Sequence, residues 1–334
     1  MLRPPIEPML ARTLPELPAP ASCPGGCLLE PKFDGFRVLA FRDSRGVYLQ
    51  SRAGRPLHGY FPEVVEAVAA AVPAGSVLDG ELVVWAGDRT SFARLQQRLS
   101  AGGRLPGLAR RHPAHVVCFD LLEHPGEVLL DRPLTYRRKA LAGLLAAAPP
   151  QLALCPQTTD PDVAARWLAD WVPVGVEGLL VKAAAGRYRP GRRGWGKYRY
   201  RSTTEAVVGG FTGELDTLLY GRYDHDGRLR YVGRSGPLAP AQRREIAPLL
   251  RPAVRHPWPR PLPAAWSGRL PRPEPLPYEP VEPTVVAEIS HDTAYEWHRF
   301  RHGVRHVRVR ADLRDVDVPR LEDGAADPGT GPAA

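Results

Sequence analysis

Lysine is the scarcest charged residue of this chain. It occurs four times, at Lys32, Lys139, Lys182 and Lys197, so 41 of the 45 basic residues are arginine. Where positive charge alone is needed the chain uses Arg, so a retained Lys points to chemistry that a permanently protonated guanidinium cannot do. Cysteine is as sparse. Cys23, Cys27, Cys118 and Cys155 are too few and too scattered for a disulfide scaffold or a four-thiolate zinc site, and Cys23 and Cys27 read as a loop pair. No apolar run is long enough to span a bilayer. The opening MLRPPIEPML has no apolar stretch followed by a cleavage site, so export is not expected. These absences lead to the expectation of a cytoplasmic protein in a reducing compartment, with no membrane partner.

What is present is a basic chain of 334 residues, long enough for two domains, with a formal charge of +9. Such a balance favours an anionic partner: a polyphosphate, a nucleic acid or a membrane surface. CLLEPKFDGFRVLA (27–40) is β-prone, and DSRG (43–46) before VYLQSR predicts a hairpin turn. FPEVVEAVAAAV (61–72), SFARLQQRLS (91–100), the stretch 132–148 and DPDVAARWLADWV (160–172) have helical spacing. They alternate with strand-like runs at 76–85, 115–122 and 176–183. That interleaving predicts an α+β or α/β domain.

After about residue 201 the texture changes to five short turn-bounded strands and one helix, AQRREIAPLLR (241–251), the content of a small OB-type barrel. Residues 252–283 hold 11 prolines and read as a long irregular loop. The boundaries expected are 1–201 for the first domain, 202–318 for the barrel and 319–334 for a disordered tail.

The densest chemical signal is Glu30-Pro31-Lys32-Phe33-Asp34-Gly35-Phe36-Arg37. A Lys beside an Asp-Gly turn in β-prone surroundings suits an amine nucleophile, provided burial and neighbouring cations strip its proton. The same residues could equally form a salt-bridged hairpin. The run resembles motif I of the covalent nucleotidyltransferases: ATP-dependent DNA ligases, RNA ligases and mRNA capping enzymes. Further matches follow in the family's order. Ser51-Arg52-Ala53-Gly54 is similar to motif Ia, Asp79-Gly80-Glu81-Leu82 to motif III and Cys118-Phe119-Asp120 to motif IIIa. Glu177-Gly178-Leu179-Leu180-Val181-Lys182 resembles motif IV, Trp195-Gly196-Lys197-Tyr198-Arg199 motif V, and Arg310-Ala311-Asp312 motif VI. The resemblance covers about residues 1–318.

It implies a nucleotidyltransferase (adenylation) domain followed by an OB-fold β-barrel. In that reading Lys32 attacks the α-phosphate of ATP to give a lysyl-AMP and release pyrophosphate. Glu81 and Arg37 lie at the ribose, Phe119 stacks on the adenine, and Glu30 meets the exocyclic amine. Lys182 and Lys197 grip the α-phosphate, Glu177 sits by Mg²⁺ or Mn²⁺, Arg310 orients the pyrophosphate, and Arg52 contacts a 5′-phosphate of DNA. Two positions depart from the pattern: Arg199 stands where motif V usually ends in Lys, and Leu313 where motif VI often has Lys. Lys139 reads as a solvated surface residue.

Only 31 residues precede Lys32, too few for a nicotinamide-binding segment, so ATP is expected rather than NAD. The segment RSTTEAVVGG (201–210) looks like the small two-domain bacterial repair ligases, especially the actinobacterial ligase C group. The expected partner is nicked duplex DNA and the expected state a monomer, with a hinge near Arg199–Thr203. The alternatives are an RNA ligase, a GTP-dependent RNA-capping guanylyltransferase, and, from another class, a non-catalytic OB-type nucleic-acid-binding protein. Residues 181–201 carry eight basic residues and no carboxylate, which suits a phosphodiester backbone. His298, His302 and His306 read as a solvated, phosphate-facing surface rather than a metal site.

Overall fold

The computed structural model describes residues 2–172, 174–266, 274–292, 294–296 and 298–321. The chain divides into two compact units, Met1–Tyr200 and Arg201–Ala334. Among the described residues no helix is long and apolar enough to cross a membrane.

In the first unit the strands and helices run β1 (Leu10–Thr13), β2 (Cys27–Phe33), β3 (Phe36–Asp43), β4 (Gly46–Ser51), α1 (Pro62–Ala71), β5 (Ser76–Ala86), α2 (Phe92–Leu99), α3 (Leu105–Arg111), β6 (Ala114–His124), α4 (Leu134–Leu145), β7 (Leu152–Leu154), α5 (Pro161–Asp170), β8 (Val176–Ala183) and β9 (Arg193–Arg199). Two helices begin where a side chain satisfies their first N–H groups. Ser91 accepts from Arg94 N to cap α2, and Asp160 accepts from the N–H groups of Asp162 and Val163 ahead of Pro161 to cap α5.

Two sheets result. The larger contains β4-β3-β5-β6, and the smaller runs β1-β9-β8-β2. Strand alternation gives the larger sheet two buried faces. Val38, Ala40, Leu78, Leu82 and Val116 meet apolar residues of α1, α2 and α4, whereas Leu39, Phe41, Val77, Val83 and Phe119 meet Met9, Tyr188 and Trp195 from the smaller sheet's side. The outer face of the smaller sheet, Leu29, Leu179 and Val181, is covered by Ala164 and Trp167 of α5. The polar residues of the site lie on the two inner faces.

The second unit holds β10 (Ser202–Thr212), β11 (Thr217–Tyr223), β12 (Leu229–Arg234), α6 (Pro240–Ile246), β13 (Val286–His291) and β14 (Arg305–Val309). The hydrogen-bonded order is β12-β11-β10-β13-β14, and a parallel bridge between Ser235 and Val304 joins the two ends of this path, closing a barrel. The proline-rich segment is irregular, as expected, yet it is not a surface loop throughout. Trp258, Leu262 and Tyr278 are buried against the barrel, and the Trp258 indole N–H donates to Leu229 O at 2.9 Å. At the start of the expected tail, Leu321 is buried and its N–H donates to Tyr223 O; residues 322–334 lie outside the described residues.

One disulfide, Cys23–Cys27, closes the Pro24-Gly25-Gly26 turn, so the loop pair is a bonded one. Cys118 and Cys155 are free and buried.

Candidate active site

β2 and β3 follow one another in sequence but lie in different sheets, so Asp34-Gly35 is the crossing between them. Only glycine fits there: a Cβ on Gly35 would come 2.0 Å from Leu82 O. This overturns the salt-bridged hairpin, because Lys32 and Arg37 find their carboxylates elsewhere, in Glu177 and Asp79.

Lys32 lies beside the crossing on the inner face of the smaller sheet. Register places it opposite Gly178 of β8, which in turn is opposite Arg199 of β9; in the next row Glu30, Leu180 and Lys197 are aligned. Glu177 should point the other way by strand alternation. The register shifts between Val176 and Gly178, and this bulge re-aims Glu177 toward Lys32. The Lys32 Nζ–Glu177 Oε2 separation is 2.5 Å, with Lys32 22% and Glu177 2% exposed. Gly178, at φ +151°, makes the bulge possible, since a Cβ there would stand 2.1 Å from Tyr198 O.

Further charges converge on this point. Burial lowers the pKa of Lys197, as do the positive charges of Arg199, Lys32 and Arg52. Burial pushes Glu81 up to about 7, against Lys32 and Arg37, which favour its ionised form, and with Glu177 and Asp79, which oppose it. Lys32, Glu81, Glu177, Lys197, Arg199 and Arg52 therefore share one electrostatic site.

A second group lies deeper. Lys182 Nζ is 2.6 Å from Glu30 Oε2, both side chains fully buried, and the ammonium sits 4.3 Å from the Phe119 ring and 4.2 Å from Trp195. Gln157 Nε2 donates to Glu30 Oε1 at 2.7 Å. Lys182 thus keeps company with Glu30 and the rings rather than with Lys197. Arg37 is held by both Asp79 oxygens, at 2.5 and 2.6 Å, and its guanidinium lies 4.5 Å from the Phe119 centroid. Burial disfavours the Arg37 charge, but Asp79 outweighs it and keeps the guanidinium protonated. The Tyr188 hydroxyl donates to Asp79 at 2.6 Å and accepts from Met9 N.

Asp79, Gln157, Tyr188 and Trp195 were not singled out individually from sequence. Only Asp79 and Trp195 carried a signal, as members of motif-like runs. Arg310 belongs to the second unit, where it pairs with Glu205 and Asp312, each at 2.8 Å. Leu313 packs against that unit's core, which explains an apolar residue there. Lys139 is exposed. The histidines do not form the expected solvated surface: His306 is buried with Nδ1 3.0 Å from the Tyr220 hydroxyl, and His302 meets Asp292 at 2.7 Å.

Among the described residues no cluster of three His, Cys, Asp or Glu is placed to hold a metal. Glu177, a buried carboxylate beside Lys32 that raises the cost of Glu81's charge, offers an oxygen donor. That fits Mg²⁺ or Mn²⁺ completing its shell with water and substrate phosphate.

Residues 8–199 match the family of the ATP-dependent DNA ligase domain. The chain is 35% identical to DNA ligase C2 of Mycolicibacterium smegmatis, over 92% of this chain and 91% of that protein. It is also 35% identical to DNA ligase C of Mycobacterium tuberculosis, over 96% and 94%. Among solved structures, the ligase domain of M. tuberculosis LigD is similar with a TM-score of 0.50 and 29% identity, covering 95% of this chain and 98% of that one. A Lig E DNA ligase shares the fold, with a TM-score of 0.55 at 17% identity and 90% and 98% coverage.

Proposed function

The chain belongs to the ATP-dependent DNA ligase family, and from that premise we propose that it adenylylates itself on Lys32 and seals nicks in duplex DNA. The observation that carries this reading is Lys32 itself: a lysine at a sheet-to-sheet crossing, 2.5 Å from a buried carboxylate and beside Lys197, Arg199 and Arg52.

In the first step the Lys32 ammonium passes a proton to Glu177 Oε2. The freed amine forms a bond to the α-phosphorus of ATP, and the α–β phosphoanhydride bond breaks to release pyrophosphate. Lys197 and Arg199 face the charge that builds on the α-phosphate. Glu177, once that proton has passed on to solvent, would hold the divalent cation, which when bound supplies positive charge against phosphate oxygens. Next, an oxygen of a DNA 5′-phosphate, held by Arg52, attacks the same phosphorus. The P–N bond breaks and Lys32 is regenerated. Finally a 3′-hydroxyl attacks the activated 5′-phosphate and AMP leaves.

The deeper group reads the base. This requires the buried Lys182–Glu30 pair and the cations over Phe119 to part, so that the ring offers a face, Glu30 an acceptor for the exocyclic amine and Lys182 a donor at the same edge. This moves Lys182 from the phosphate, where the motif resemblance put it, to the base. Arg37, locked by Asp79, lies by the ribose with Glu81. Arg310 orients the pyrophosphate when the barrel closes about a hinge near Arg199–Thr203, and the enzyme works as a cytoplasmic monomer.

The test is single-turnover sealing. Enzyme loaded with α-labelled ATP is chased with a 5′-phosphorylated nicked duplex in the presence of excess cold ATP. Label should pass from protein to DNA-adenylate and then to free AMP as the nick closes. Label that stays on the protein through the chase would refute the reading, and so would preferential uptake from GTP.

A further inference from the structure

The segment 91–113 carries five arginines, Arg94, Arg98, Arg104, Arg110 and Arg111, and no carboxylate. Arg98 serves the fold, buried at 2.7 Å from Glu63 and from His112 O. The others are placed differently. Arg104, Arg110 and Arg111 are exposed, and among the described residues none of them pairs with a carboxylate. The field of Arg111, with those of Arg94 and Arg98, reaches His112, whose protonation these arginines and burial disfavour.

The surface is also shaped. A depression of about 440 Å³ between α2 and α3 is lined by Gln97, Ser100, Gly103, Arg104, Gly107, Leu108 and Arg111. Gly103 and Gly107 withhold side chains from it, and the Arg111 guanidinium lies 3.5 Å from where a Gly107 Cβ would be. Apart from Leu108, every side chain beyond Cα on this lining carries a hydrogen-bond donor, and none is acidic.

Its placement connects it to the reacting end of the site. Phe92 at the start of α2 packs edge-on against Phe36, one residue past the Asp34-Gly35 crossing, with centroids 5.1 Å apart. Thr90 N donates to Val174 O, just ahead of the strand that bears Glu177. From Phe92 to Gln97, where the depression begins, α2 rises about 7.5 Å, roughly two base pairs of duplex.

We propose that the α2–α3 face, through Arg104, Arg110 and Arg111, binds the phosphodiester backbone of the DNA substrate a few base pairs from the break. This inference rests on the ligase reading and extends its DNA contact beyond the residues of the motifs. The contacts fix position without reading sequence.

The triple variant Arg104→Ala/Arg110→Ala/Arg111→Ala tests it in the full chain, using a nicked 5′-phosphorylated duplex of arbitrary sequence. Each of three phosphate contacts contributes about 0.9 to the slope of log affinity against log salt, so the slope should fall by about 2 to 3. Between 50 and 200 mM salt the wild type should then lose up to about 40-fold more affinity than the variant. The Lys32 label from ATP and the thermal midpoint should match wild type, and the triple Arg→Lys variant should recover the slope. If wild type seals nicks and the Ala variant shows the same affinity and slope, the inference falls and the ligase reading stands. If wild type neither takes label nor seals, the ligase reading itself falls. A loss that Arg→Lys does not restore would assign the arginines a structural role and overturn the proposal.

Discussion

The Lys182–Glu30 pair is the most exacting test of how the deeper group is held together. Both side chains are fully buried at 2.6 Å, and only Gln157 is shown donating to the carboxylate's second oxygen. Glu30→Gln leaves the Lys182 ammonium buried between Phe119 and Trp195 with no counter-charge. Breaking such a pair from one side costs about 3–5 kcal/mol. In a unit of this size that corresponds to a drop of about 10 °C or more in thermal midpoint. Lys182→Met should cost a similar amount for the opposite reason, an unmatched carboxylate. The double variant removes both charges and leaves Met, a flexible apolar side chain, against the two rings, so it should recover most of the loss. The coupling energy from the double-mutant cycle should be about 2 kcal/mol or more. Thermal unfolding followed by near-ultraviolet circular dichroism, which reports the Trp195 surroundings, measures all four corners. Additive single effects, with coupling below about 0.5 kcal/mol, would refute the claim that the two charges hold each other in place.

Two further outcomes follow from the geometry. Gly178→Ala drives a Cβ to 2.1 Å from Tyr198 O at a φ of +151°, so β8 and β9 must part and Glu177 loses its aim. Backbone strain of about 1–3 kcal/mol adds to the clash, and label uptake from ATP should fall at least 100-fold even below the melting transition, as a labelling assay at 15 °C would show. Glu81, raised to about 7 mainly by burial, is held in its neutral form by the fold. Its contribution to stability is complete below its ordinary pKa of 4.5 and is lost as pH rises through about 7. Wild type should therefore lose stability between pH 5 and 7.5 relative to Glu81→Gln, and denaturant midpoints that stay parallel across that range would count against this.

The grouping of the candidate residues was partly legible in the sequence because it is local. Lys32, Asp34 and Gly35 share one turn, and Glu177 to Lys182 share one strand. What the sequence did not carry depends on register. Whether Lys182 meets a phosphate or Glu30 is decided by the pairing of β8 with β2, which no spacing within β8 reveals. The bulge that turns Glu177 inward is likewise a property of two strands, not one. β9 was hidden by its composition: RGWGKYR is short of β-branched residues and becomes a strand because β1 and β8 flank it. α3 was masked by Gly103, Pro106 and Gly107, which read as breakers, although Pro106 sits in the first turn, where proline is tolerated. Tyr188 and Gln157 lie outside the motif-like runs and reach the site only through tertiary packing. The histidine spacing suggested one face, but two of the three residues point to different partners inside the second unit.

The central claim is that the amine of Lys32, rather than its charge, does the chemistry. Lys32→Arg keeps a cation beside Glu177 but offers no nucleophilic amine, since the guanidinium stays protonated. Incubated with α-labelled ATP and a divalent cation, wild type should acquire acid-labile label on the peptide that contains Lys32, and Lys32→Arg should acquire none. Label on the variant, or on any other peptide of the wild type, would contradict the account.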